Sequence, residues 1–334
     1  MPQTTLLRFF VAFLTAFTFS MPSAQAEFIA VTEFFTGRVE LFDAQTKSES
    51  TLATIAGNPG LAGIAYNAAN NRLYVSALNH GGVYMLNAQT GMTLGFQTLG
   101  GGGPGGLAVG SNGNVYVSDF TSNNVRVFDA NLTSLNSISV PQGNVTSGVG
   151  FAANGDLLIT TAGAGVFKFD GSTVSTFNGL QLASAQIAVD ASSNVFVGHG
   201  LGFSDSVFKF NSSGGLLGTF DVTDAMVNGT GTGSSTGTGP SGVAFNANGN
   251  YLMVAALGRS NPSDPGGERG GLFKFDTNGN LLDTFAAGSK AFSSVAIISA
   301  VPEPSSTALV ALSGILTFAA RRRVRSASRF TEMA

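Results

Sequence analysis

The chain of 334 residues contains no cysteine and no tryptophan. Without cysteine there is no disulfide framework, no thiol nucleophile and no thiolate metal ligand. Stability must come from packing, or from packing and bound ions. Basic residues are also scarce. Residues 27–300 carry 10 Lys and Arg against 17 Asp and Glu, a net of −7, and five Arg lie beyond residue 320. An acidic body without a basic stripe excludes the usual way of holding nucleic acid, which needs cations to replace condensed counterions.

What the chain has in quantity is glycine, 45 residues, and phenylalanine, 28. Short apolar runs alternate with Gly, Ser, Thr and Asn, the pattern of many short strands and tight turns. The first 26 residues differ. Arg8 precedes an apolar run from Phe9 to Phe19, and Ala24-Gln25-Ala26 offers small residues to a signal peptidase. Residues 1–26 therefore read as a helical secretory signal cut before Glu27.

At the other end Val301-Pro302-Glu303-Pro304 leads into an apolar stretch, Ser305 to Ala320, and then Arg321-Arg322-Arg323. Proline stops an upstream strand, and the Arg cluster stays on the cytoplasmic side of a membrane. This is a stop-transfer pattern with the body outside, and its apolar helix is short for a permanent anchor. The order of these parts resembles the PEP-CTERM sorting signal of Gram-negative bacteria over 301–323, with residues 324–334 as an extra tail. The resemblance implies export, transient anchoring in the inner membrane, and removal of the tail near Pro302, Glu303 and Pro304 by an exosortase-type protease. The destination would be the cell surface, outer envelope or extracellular matrix.

Between the ends one frame recurs. GIAY begins at Gly63, GLAV at Gly106, GVGF at Gly148, QIAV at Gln186, GVAF at Gly242 and SVAI at Ser294. The frame reads strand, tight turn, strand, loop, strand, with Asn-Gly turns at Asn112-Gly113, Asn154-Gly155 and Asn248-Gly249. Third strands repeat as Val166-Phe-Lys-Phe169, Val207-Phe-Lys-Phe210 and Leu272-Phe-Lys-Phe275. Alternation is read as setting Phe167, Phe208 and Phe273 on one face, with the flanking Val or Leu and Phe on the other. Two apolar faces suit a strand held between neighbouring blades. The sixth start has only one strand after it, while residues 28–33 and 39–43 align without gaps on 114–119 and 125–129. The predicted fold over 27–300 is thus an all-β, six-bladed β-propeller in which N- and C-terminal strands complete one blade.

Residues 99–129, with Gly-Pro-Gly-Gly-Leu-Ala-Val, Asn-Val-Tyr-Val-Ser-Asp and Asn-Asn-Val-Arg-Val-Phe-Asp, resemble the NHL repeat. The wider group includes SMP-30/gluconolactonase-like propellers, metal-dependent enzymes with acidic and Asn ligands in the channel. Their Glu-Gly-Pro entry is absent: Gly103-Pro104 and Gly239-Pro240 lack the preceding Glu. The resemblance implies the fold and leaves the activity open.

The ends of the second strands should approach one mouth of the channel. Glu33, Ala77, Asp119, Thr161, His199 and Ala256 align there. Glu33, Asp119 and His199 fall on alternate blades and are candidate ligands for one divalent cation, calcium or zinc, that could activate water. Thr161 joins them as mouth lining, and the contrary reading is a wet polar channel. His80 and the insertion 259–271, with Arg259, Asp264, Glu268 and Arg269, are rim candidates for binding. Thr223–Ser241 reads as a low-complexity loop. The G-x-S-x-G match at 233–237 lies in that loop and not on a strand-turn-helix. The G-x-G-x-x-G at 101–106 opens a strand and not a helix. Asp276-Thr-Asn-Gly-Asn280 reads as a turn without a calcium loop's closing Glu.

These features favour a non-catalytic binding or scaffold module whose ligands are surface polysaccharides or envelope proteins. The alternative is a metal-dependent lactonase or hydrolase using Glu33, Asp119 and His199. The leader reading is checked directly: N-terminal sequencing of the exported chain is expected to begin at Glu27, and a chain retaining Met1 would contradict it.

Overall fold

The computed structural model describes residues 27–140, 146–180, 184–199, 206–222, 239–246, 248–257, 270–287 and 290–299. The leader and sorting segments, the cores of both long connections, and Arg259, Asp264, Glu268 and Arg269 lie outside the described residues.

The alternating runs fold as six antiparallel four-stranded sheets. Blade one combines β24 (Phe292–Ser299) with β1 (Glu27–Glu33), β2 (Arg38–Asp43) and β3 (Glu49–Thr54). Blade two holds β4 (Leu61–Asn67), β5 (Arg72–Ala77), β6 (Gly82–Asn87) and β7 (Thr93–Thr98). Blade three holds β8 (Pro104–Val109), β9 (Val115–Asp119), β10 (Asn124–Phe128) and β11 (Ser134–Ser139). Blade four holds β12 (Thr146–Phe151), β13 (Leu157–Thr161), β14 (Gly165–Phe169) and β15 (Val174–Asn178). Blade five holds β16 (Ser184–Val189), β17 (Val195–His199), β18 (Ser206–Phe210) and β19 (Leu216–Asp221). Blade six holds β20 (Pro240–Phe245), β21 (Leu252–Ala256), β22 (Gly271–Phe275) and β23 (Leu281–Ala287).

The first strand of each blade in this order is innermost, and these six touch their neighbours in a closed circle. The expected closure is present. β24 pairs with β1 in antiparallel register from Glu27↔Ser299 to Glu33↔Phe292. Thr32 and Ser293 join their hydroxyls across that pair at 2.8 Å.

Six apolar cores fill the six blade interfaces. Phe196, Val207, Val254, Phe273 and Phe275 pack between blades five and six, and Leu272, Met253, Ile29, Val31 and Phe42 between blades six and one. This corrects the facing of the third strands. Phe273 and Phe275 share one side and Leu272 takes the other, because a period of two puts second and fourth residues together. The lysine accompanies Leu272, with Lys274 Nζ 4.0 Å from the Tyr251 ring centroid.

Near the axis backbones approach too closely for side chains. A Cβ on Gly63 would lie 2.6 Å from the Gly105 carbonyl oxygen, and one on Gly242 2.7 Å from Ser294 Cα. That explains glycine at four of the six aligned starts. Hydroxyls of one blade then donate to the innermost strand of the next. Ser76 Oγ donates to Gly105 O at 2.5 Å, Ser118 Oγ to Ser147 O at 2.8 Å and Ser293 Oγ to Leu61 O at 2.5 Å.

The two faces of the ring differ. One carries the hairpins joining first to second and third to fourth strands; we call it the hairpin face. All six third-to-fourth hairpins begin with Asp or Asn: Asp43, Asn87, Asp129, Asp170, Asn211 and Asp276. Each side chain accepts backbone N–H groups of its own turn. Asp276 is thus a turn residue. The other face, the crossover face, carries the second-to-third loops and the blade-to-blade crossings.

Gln186 takes the place that glycine or serine holds in the other blades, and its side chain crosses the axis. Its Nε2 donates to Val295 O at 3.1 Å and Ile64 O at 3.4 Å, in blades one and two. Its Oε1 accepts from Ser294 Oγ at 2.9 Å and Val295 N at 3.3 Å. Blade five is thereby tied to the strand that closes the ring. Gln186→Ala is expected to lower unfolding stability by about 1–3 kcal/mol, the usual cost of orphaning buried polar partners, as read from a urea midpoint. An unchanged midpoint would show that the tie contributes nothing.

Candidate functional site

The second strands end on the crossover face, as their spacing requires, so Glu33, Asp119, Thr161 and His199 all lie toward that mouth. Each is buried. Their surroundings decide what they can do.

Asp119 is fully buried at the end of β9. Its Oδ1 accepts from Gly103 N at 3.0 Å, Thr121 N at 3.0 Å and Thr121 Oγ1 at 2.7 Å. Its Oδ2 faces Arg126 Nε and Nη2, both at 3.3 Å. Burial alone would raise its pKa. The Thr121 hydroxyl and amide and the Gly103 amide outweigh this and hold it below the ordinary aspartate value. This carboxylate fastens the entry of β8 and the β9–β10 loop to one point.

Glu33 occupies the same place in blade one. Thr36 Oγ1 donates to its Oε2, and Lys290 Nζ stands 3.7 Å from its Oε1. Glu40 replaces Arg126 in the frame, so blade one sets two carboxylates where blade three sets an ion pair. Lys290, from the segment entering β24, supplies a cation to both, and Arg38 Nη1 stands 3.8 Å from Glu40 Oε1. Lys290 Nζ lies 4.0 Å from Glu40 Oε1 and contacts Glu49 Oε1. Burial works against the ammonium, but Glu49, Glu33 and Glu40 together hold its pKa above the usual lysine value. Glu40 Oε2 is buried without a hydrogen-bond partner.

Thr161 Oγ1 donates to Gly165 O at 3.1 Å within its own blade. His199 packs edge-on against Phe208, with ring centroids 5.5 Å apart. Its Nδ1 is buried and unpartnered, and burial lowers its pKa below the ordinary histidine value. The imidazole is therefore neutral at neutral pH. His80, on the blade-two rim, sits between two groups. The Gly57 carbonyl, 3.3 Å from Nε2, can only accept, so Nε2 carries the proton and Nδ1 accepts from the Tyr84 hydroxyl at 2.9 Å. Tyr84 in turn packs on Phe96, with centroids 4.5 Å apart.

The expected cation site of Glu33, Asp119 and His199 is not assembled. Among the described residues no three His, Asp or Glu side chains are grouped to hold a metal. The donors do not fit one: Asp119 is engaged by Arg126 and three donors, and Glu33 by Lys290. Beneath the mouth Gln186 spans the axis. Arg126, Lys290, Glu40 and Gln186 escaped the sequence reading. Gln186 had a signal, the one long side chain among six aligned starts.

Two family models match. The NHL repeat matches residues 102–128, the stretch holding Gly103, Asp119 and Arg126. The PEP-CTERM protein-sorting motif matches 300–323. The chain is a six-bladed β-propeller with an NHL repeat and a PEP-CTERM sorting motif. Such a motif implies export through the exosortase system of Gram-negative bacteria.

Among curated proteins none is detectably similar in sequence. Solved structures share the fold. A Bacteroides caccae protein of unknown function aligns at 13% identity and TM-score 0.61, covering 82% of this chain and 99% of its own. A chain of the nidogen/laminin complex aligns at 14% and 0.60, covering 83% and 99%. A streptogramin B lyase aligns at 12% and 0.50, covering 66% and 69%.

Two substitutions separate structural from spare groups. Asp119→Ala is expected to destabilise the ring by about 2–4 kcal/mol by orphaning buried donors. His199→Leu, which deletes an unpaired polar atom, is expected to be neutral or stabilising. The pH dependence follows from the depressed Asp119 pKa. Its contribution is present above the unfolded value of about 4 and is lost as pH falls through the lower folded value. Acid titrations of stability should be shallower in Asp119→Ala. Equal acid limbs, or a destabilised His199→Leu, would contradict these roles.

Proposed function

We propose that this PEP-CTERM-tailed propeller is a binding or scaffold module of the cell envelope or extracellular matrix, and that it meets its ligands on the crossover face. The observation that carries this reading is the internal engagement of the mouth carboxylates. Asp119 and Glu33 fasten loops and blades, so they offer no free nucleophile, base or ligand set. The axis beneath them is tied by Gln186. What the ring presents there is a rigid platform edged by loops, the arrangement in which scaffolds display recognition surfaces.

The chemistry of that platform favours neutral or mixed polar partners. It combines the His80–Tyr84–Phe96 group, the exposed Phe35 and an acidic body, and has no basic stripe. Surface polysaccharide and envelope proteins are the partner classes that suit it. The metal-dependent lactonase or hydrolase reading loses its support, since Glu33 and Asp119 have other partners and are not grouped with His199.

Immobilised residues 27–300 are expected to retain polysaccharide or envelope protein from the source cell surface, and His80→Ala is expected to weaken retention with the fold intact. Turnover of a lactone or ester by the purified body, abolished in Glu33→Gln, would overturn the reading.

A further inference from the structure

The register of ring closure places both ends of the body at one spot. Glu27 pairs with Ser299. β1 begins and β24 ends on the hairpin face. In the other five blades a hairpin joins the first strand to the second at this position; in blade one it is open, and its two stubs are the residues bonded to the leader and to the sorting segment. The PEP-CTERM match begins at residue 300, immediately beyond β24. From Ala300 to Pro304 the chain can reach at most about 17 Å before the apolar stretch begins, at roughly 3.3–3.6 Å per residue.

A second observation concerns the same face. Its margin is where fourth strands start, and Met92, Leu135, Leu216, Leu217, Leu281 and Leu282 lie there with exposures between 46 and 59%. They belong to four different blades. Scattered apolar residues need no explanation, but these gather at one end of the outer strands. The turn tips between them carry Asp43, Asp129 and Asp170, kept ionised by backbone N–H donors of their own turns. Such tips stay in water, which limits the margin to shallow contact.

We propose that the hairpin face lies against the lipid bilayer while the sorting segment is uncut, its leucine margin touching the interface, and that the crossover face is thereby turned outward. A tether of five residues leaves the ring little freedom to present any other side. Cleavage of the tail removes the tether, and the shallow margin is too weak to hold the ring alone. The inference rests on the sorting segment and on strand register, not on what the ring binds, so it can fail while the proposed binding function stands.

The absence of native cysteine makes the test clean. Gln45→Cys and Gln89→Cys place a single fluorophore on hairpin-face turns, and Phe35→Cys places one on the crossover face. Each full-length variant is reconstituted in phosphatidylethanolamine/phosphatidylglycerol vesicles containing a spin-labelled lipid quencher. Quenching at positions 45 and 89 is expected to exceed that at 35 several-fold, with the difference reduced by Leu281→Ser/Leu282→Ser and lost after the tail is removed. Equal quenching at the three positions, or stronger quenching at 35, overturns the proposal. Shielding of 45 and 89 from aqueous iodide without lipid quenching would mean that a second copy covers the face, which also overturns it.

Discussion

The antiparallel pair of β24 with β1 is the constraint from which the rest of the molecule follows. Five blades are built from consecutive strands, and blades two and six would each stand with one face uncovered if blade one did not close the circle. β24 supplies the innermost strand of that blade from the far end of the chain. It brings Val295 and Phe292 into the core against blade six. It brings Ser293 to the carbonyl of Leu61 in blade two, and Ser294 and Val295 to Gln186 in blade five. One strand therefore satisfies partners in four blades, so the closure is cooperative with the whole ring.

The charged residues near the mouth are best understood as parts of the same closure. Blade three holds Asp119 and Arg126 as a pair within one repeat. Blade one keeps the frame but has Glu33 and Glu40, and adds to its own Arg38 a cation from the other end of the sequence, Lys290, which reaches both glutamates. The ion cluster thus repeats in charge what β24 and β1 do in hydrogen bonds. A buried pair of this kind contributes less net stability than its contacts suggest, because desolvation offsets attraction. Its stronger effect is against alternatives, since no other strand brings a lysine to these two glutamates.

Fold and closure were legible in the sequence because they rest on periodicity. Six starts at similar spacing and two complementary half-blades leave few other arrangements, and the Asp and Asn hairpins are written locally. The mouth was legible only in position. Alignment correctly set Glu33, Asp119 and His199 at equivalent strand ends, but equivalence around a ring does not bring side chains together. Their partners come from the loop at Thr121, from β10 and from the entry to β24. Such pairings depend on side chains that differ between blades at one frame position, as Arg126 and Glu40 do, and a repeat frame does not encode that.

The most direct test of this account is native-state hydrogen exchange on the full chain, followed by mass spectrometry. If β24 closes the ring, amides of β1 and β24 exchange as slowly as those of β4, β8 and β12, through global unfolding alone. Fast exchange of β1 and β24 beside a protected set in blades two to four would mean that the ring stands without its closing strand, and would contradict the account.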